Sequence, residues 1–247
     1  MGSFLPIHVW SLPIPAVLDS IEQHELFAVL NPEEQDRLRK AGSEEYQTQY
    51  LLSHALARIK IADALGCLPL DLPLVFHPHQ KPRFGEKVFG RDWYLSVTHT
   101  DDFVAVAFGA SPVGVDLEKV RRHEMIEEIV RGRGSKAEAE EIESLSEQRD
   151  RQRTRFCQLW TLKEALYKAG SFESAAVMKK CTFKVDDKDH LQFISHGLCD
   201  EEVNEWQFSL FRPKPDRILA LSYQSLSPVD IVWGDVTQEE LISFPIM

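Results

Sequence analysis

Positive charge, cysteine and long apolar runs are all scarce in this chain of 247 residues. Lys and Arg number 28 against 39 Asp and Glu, a formal net charge of −11. Nucleic-acid binders release counterions through clustered Lys and Arg, so that class of partner is excluded. The four cysteines, Cys67, Cys157, Cys181 and Cys199, form no CxxC pair and no zinc-ligand spacing. That excludes a disulfide scaffold and predicts reduced, mostly core thiols in a cytoplasmic protein. No 18-residue apolar stretch and no secretory leader is present, so no membrane partner is expected. Pro6 occupies the position where an N-myristoylation signal wants Ser or Thr. Neither GxGxxG nor a P-loop occurs, which argues against dinucleotide enzymes and ordinary kinases.

What is present suffices for a substantial core. At 43% hydrophobic, the chain can bury one large domain or two closely packed ones. Phe4–Trp10 reads as a strand ending at Pro13. Asn31 is a candidate N-cap with Pro32 at the first helical position, opening a helix toward Lys40. Glu45–Leu65 reads as a longer helix stopped by Gly66, and Pro69–Pro82, with His77-Pro-His79, as loop and strand. Trp93–Val97, Phe103–Phe108 and Val113–Leu117 read as strands. Met125–Arg131 and Lys136–Ser146 read as short helices and Thr154–Ala169 as a strong one. Cys181–Val185, Leu191–Ile194, Trp206–Arg212 and Ile218–Tyr223 are the remaining strands.

The chemistry concentrates in two segments, Val113-Gly-Val-Asp-Leu-Glu118 and Phe156-Cys-Gln-Leu-Trp-Thr-Leu-Lys-Glu-Ala-Leu-Tyr-Lys168. Strand alternation puts Asp116 and Glu118 on one face. Helical spacing puts Glu164 and Lys168 on another, with Trp160 one turn earlier. Three carboxylates suit Mg²⁺, which keeps waters and takes its other ligands from substrate phosphates. A lysine beside them offsets charge on a phosphoryl oxygen. The bland alternatives are a solvated strand edge for the first pair and a surface i,i+4 salt bridge, worth about 0.2–0.5 kcal/mol, for the second. An aspartate inside a Val-Gly-Val run and a tryptophan beside Glu164 weigh against both.

These segments resemble the two signature motifs of the 4'-phosphopantetheinyl transferases. The length is similar to that of the long, surfactin-synthetase-type branch, in which one chain carries the whole site. Asn31-Pro-Glu-Glu-Gln-Asp-Arg37, Gln80-Lys81-Pro82 and Leu95-Ser-Val-Thr-His99 resemble weaker family features in the same order. The resemblance implies an α+β fold of two similar α/β-sandwich halves related by a pseudo-twofold axis. Residues 1–112 would form the N-terminal half, with the coenzyme A nucleotide contacts, and residues 113–247 the C-terminal half, with the metal and catalytic motifs. It also implies transfer of the 4'-phosphopantetheine group from coenzyme A to a serine of an acyl or peptidyl carrier protein, with Mg²⁺ as cofactor. Asp116, Glu118 and Glu164 would be the metal ligands, and Glu164, Lys168 and Asp116 the catalytic residues. Arg37, Lys81, Thr98, His99 and Lys168 would contact coenzyme A, and the chain would act as a monomer.

Departures from the family pattern also stand out. His54 and Gln49 replace residues that are basic in some members, which leaves the second 3'-phosphate contact to His54 or Arg58. Arg131-Gly-Arg-Gly134 replaces an aromatic stretch before the family glutamate, here Glu138, and the glycine-rich continuation is reduced to Gly170-Ser171. Two other readings remain open: a different Mg²⁺-dependent nucleotide- or pyrophosphate-cleaving enzyme, and a non-catalytic coenzyme-A-binding relative. An acidic enzyme acting on an acidic carrier needs a local patch that opposes its field. Arg149, Arg151, Arg153 and Arg155, with Arg131 and Arg133, either form that patch or balance the acidic run Glu138–Glu147. A faint echo pairs Val104–Phe108 before Ser111-Pro112 with Leu219–Tyr223 before Ser227-Pro228, as expected of two related halves.

Overall fold

The computed structural model describes residues 5–15, 17–77, 80–121, 125–170, 172, 175–186, 188–195 and 205–244. Phe4, His79, Ser171 and Cys199 lie outside that set. The chain divides into two compact units, residues 1–111 with 229–247, and residues 112–228.

In the first unit, β1 (Ile7–Pro13) lies between β5 (Phe103–Gly109), antiparallel, and β11 (Ile231–Asp235), parallel, with β4 (Tyr94–His99) on the far side of β5. Every residue of β5 is buried, as its continuous apolar run requires of a central strand. Three helices of this unit each start at a side-chain cap. Asp19 caps α1 (Ser20–Ala28), Asn31 caps α2 (Pro32–Lys40), and Ser43 caps α3 (Glu44–Leu65). Helix α3 packs on the sheet, and α1 and α2 pack against α3. Gly66 ends α3 in the left-handed region at φ 67°, where only glycine pays no Cβ penalty. Leu52, Leu56 and Ile59 of α3 share a core with Val104, Val106 and Phe108 of β5. A short hairpin of β2 (Leu74–Val75) and β3 (Arg83–Phe84) follows α3.

In the second unit, β6 (Val113–Lys119) pairs antiparallel with β10 (Arg217–Gln224), and β10 with β9 (Trp206–Phe211). β7 (Cys181–Val185) and β8 (Leu191–Ser195) make a separate hairpin. Two short helices, α4 (Ile126–Arg133) and α5 (Lys136–Ser144), precede the 21-residue α6 (Arg149–Ala169). Phe156, Leu159, Leu162 and Leu166 of α6 pack with Met178, Phe183 and Ala220. Each unit therefore sets one long helix on a largely antiparallel sheet, the expected α+β build.

Several boundaries differ from the sequence reading. Residues 229–247 group with the first unit, because β11 adds to β1 and because Val236 and Leu241 fill its core. The latter sits in a final helix, α7 (Gln238–Ile242). Helix α1 is an addition to the sequence expectation: Asp19 and Glu22 make its capping box, but its first turns show no apolar period. Helix α6 begins at Arg149, five residues before Thr154, because the charged turn there is held by Arg153 bonding Asp150.

Cys67, Cys157 and Cys181 are free thiols. Among the described residues no helix is long and apolar enough to cross a membrane.

Candidate active site

The strand period delivers Asp116 and Glu118 as read. Asp116 is 5% exposed and sits opposite Ala220, and Glu118 sits opposite Ile218, both on β10. Glu118 and, on α6, Glu164 and Lys168 are half-buried. Lys168 does not form the surface pair with Glu164 that its spacing suggests. Its Nζ lies 2.7 Å from Asp116 Oδ1, tying helix to strand.

The remaining carboxylates carry electrostatic strain. Burial, and then the Asp116 charge, pushes the Glu118 carboxyl up to about 7, against the pull of Arg121, Lys168 and a hydrogen bond from Trp160. Burial and Asp116 likewise raise Glu164, partly offset by Lys168 and Arg133. Desolvation and like charge disfavour the ionised form in the same direction. A cation among these groups would relieve that penalty.

The donor chemistry, three carboxylates and no sulfur or imidazole, fits a hard divalent ion such as Mg²⁺. Among the described residues no three such side chains stand closed around an ion position; Asp116 turns to Lys168 instead.

A second layer fixes the helix. Lys163, adjacent to Glu164, is 3% exposed. Its ammonium bonds the Met178 and Cys181 carbonyls, each at 2.6 Å, and pairs with Glu138 at 2.8 Å. Glu138 also accepts from Ser135 N and Phe183 N. Ser135 and Glu138 form the capping box of α5, a local spacing that does not reveal the partner on α6. Beside Glu118 opens a cleft of about 390 Å³ whose lining includes Phe156, Trp160, Arg121, Arg133 and Arg153.

The candidate coenzyme A residues lie in the first unit. Arg37 pairs with Glu33 at 2.8 Å and donates to the Phe76 carbonyl. Lys81 is exposed; Thr98 is buried and His99 exposed at the end of β4. Arg58 and His54 are not available to a phosphate. Arg58 is wholly buried, bonding Glu34 at 2.7 Å and the Pro69 carbonyl at 2.9 Å. His54 is stacked between Tyr50 and Phe76, at 3.8 and 3.9 Å, and its Nδ1 lies 2.8 Å from Glu34. Neither side chain can supply the second 3'-phosphate contact.

Residues 112–222 match the family profile of the 4'-phosphopantetheinyl transferase superfamily. A putative 4'-phosphopantetheinyl transferase of Synechocystis is 28% identical over 144 residues, 58% of this chain and 57% of that protein. The 4'-phosphopantetheinyl transferase Sfp of Bacillus subtilis is 24% identical over 160 residues, 65% of this chain and 68% of that protein. A crystal structure of holo-ACP-synthase from Plasmodium yoelii covers 47% of this chain and 95% of that one at 14% identity, with a TM-score of 0.34, too slight a likeness to bear on the fold.

Proposed function

We propose that this chain, whose residues 112–222 match the profile of the 4'-phosphopantetheinyl transferase superfamily, moves the 4'-phosphopantetheine arm of coenzyme A onto a serine of an acyl or peptidyl carrier protein. Adenosine 3',5'-bisphosphate is the leaving group, and the enzyme works as a cytoplasmic monomer with Mg²⁺. The observation that carries this reading is the Lys168–Asp116 ion pair, flanked by two carboxylates whose charge is disfavoured.

Asp116, Glu118 and Glu164 would hold the Mg²⁺. When bound, that ion supplies charge neutralisation on the pyrophosphate, the main need of phosphoryl transfer. Lys168, held at the site by Asp116, offsets charge on the phosphoryl oxygens as the bond to the bisphosphate breaks. The serine oxygen forms the new bond to phosphorus, and Glu164 accepts its proton. A carboxyl raised above its ordinary range is a better base for that purpose. Arg37, Lys81, Thr98 and His99 contribute contacts to the nucleotide and its phosphates.

The test is incubation with coenzyme A, Mg²⁺ and a panel of apo-carriers, read by intact mass. One phosphopantetheine added per carrier, with one adenosine 3',5'-bisphosphate released and no product in chelator, is the expected result. Coenzyme A cleaved without carrier modification would mean a nucleotide-cleaving enzyme. Binding without turnover would mean a non-catalytic relative.

A further inference from the structure

Gly114 lies two residues before Asp116 on β6, opposite Ser222, so it shares the face of Asp116 and Glu118. That face meets α6. A Cβ built on Gly114 would stand 2.5 Å from Ala169 N and 3.0 Å from Ala169 Cβ, and would run into the Ala165 carbonyl oxygen. Its backbone is outside the left-handed region, which among the described glycines only Gly66 and Gly90 adopt. The glycine is therefore required for space and not for φ. The atoms it would strike are mostly helix backbone, which cannot swing aside as a side-chain tip can. Ala165 and Ala169 each directly follow a proposed site residue, Glu164 and Lys168.

We propose that Gly114 is a positioning residue. By lacking a Cβ it sets the spacing between β6 and α6, and this spacing lets Lys168 reach Asp116 and keeps both carboxylate-bearing elements in one site. The assignment rests on the transfer reading for its kinetic consequence but not for its geometric one. A methyl group at this point must lift α6 or shift it along the strand, because close-packed interiors pass such strain on without absorbing it. The contact lies one strand repeat from Asp116, about 7 Å, so the displacement falls on the site itself.

Gly114→Ala is the first variant, and Ala169→Val, which crowds the same gap from the helix side, is the second. Gly109→Ala, in the other unit, where the nearest atom to the added Cβ is the Ile7 side-chain Cγ1 at 3.1 Å, is the control. In the two test variants kcat should fall about a hundredfold, the scale of a 1 Å misplacement, and half-saturating Mg²⁺ should rise, while KM for carrier holds. Adding Lys168→Met to Gly114→Ala should cost far less than adding it to wild type, as coupled sites require. Independently of turnover, amine-labelling of Lys168, read by peptide mass spectrometry, should speed up several-fold as its pairing with Asp116 loosens.

Folded test variants with wild-type kcat, metal dependence and Lys168 labelling would overturn the assignment. So would losses equalled by a Phe183→Leu variant of the same melting temperature. If wild type transfers nothing, the transfer reading fails while the labelling result still decides the spacing.

Discussion

At Lys168 two accounts of one side chain separate cleanly. Sequence spacing alone allows a Glu164–Lys168 surface pair, whose loss would cost a few tenths of a kcal/mol and no turnover. The observed partner is Asp116, which is buried. Lys168→Met should therefore lower turnover by orders of magnitude and also lower the melting temperature near neutral pH, because it strands a buried carboxylate. Adding Asp116→Asn should recover much of the melting temperature and none of the turnover. Melting and steady-state assays on the two variants decide it; a fully active Lys168→Met enzyme would remove the lysine from the site. The carboxylates were legible because strand alternation is a local rule. The ion pair was not, since a strand residue and a helix residue 52 positions apart meet only through packing.

Both long helices are pinned by the same device. In α2 and α5 the capping-box glutamate, Glu34 or Glu138, binds its own N-cap backbone and reaches across to a buried cation on the following long helix, Arg58 or Lys163. That cation then satisfies carbonyls just beyond the helix: Pro69 and Leu72 for Arg58, Met178 and Cys181 for Lys163. The boxes can be read from sequence; their far partners cannot, because periodicity does not say which cation turns inward.

The first unit adds His54 to this cluster, which makes it pH-sensitive. Burial lowers the His54 pKa from its ordinary 6.5, with Arg58 and Arg37 adding to the effect and Glu34 opposing it. Glu34 itself is lowered by His54 and Arg58 against its desolvation. A histidine depressed in the folded state takes its proton more readily when unfolded, so stability falls as pH drops below about 6.5. The depressed glutamate works in the same direction further down. The denaturation midpoint of wild type should thus decline between about pH 6.5 and 5. His54→Gln should flatten that slope, whatever its effect on absolute stability. An unchanged slope would assign the acid sensitivity to other groups.

At the scale of the whole chain, the two Ser-Pro turns mark where it passes from one unit to the other. β5 runs through Ser111-Pro112 into β6, and β10 runs through Ser227-Pro228 toward β11, with unit boundaries at 111/112 and 228/229. The echo in the sequence falls at these two crossings, but it could not show that the last segment returns to the first sheet.

Charge is the other molecule-wide property, and here the structure favours the plainer of two readings. The arginine run before α6 and within its first turns is largely spent on nearby acids. Arg149 pairs with Glu127, Arg153 with Asp150, Arg155 with Glu141 and Arg131 with Glu143. Arg151 bonds Gln148. Pairs of this kind leave little field to steer an acidic carrier, and exposed ones are worth about 0–1 kcal/mol. With the net charge at −11, productive encounter should rely on close-range contact more than on long-range attraction. Reversing Arg151 and Arg153 to Glu together should accordingly leave KM for carrier within about twofold of wild type, with little change between low and physiological salt, where the Debye length is about 8 Å. KM for coenzyme A serves as the internal reference. A several-fold rise in the carrier value alone, strongest at low salt, would show that the run is a docking surface after all.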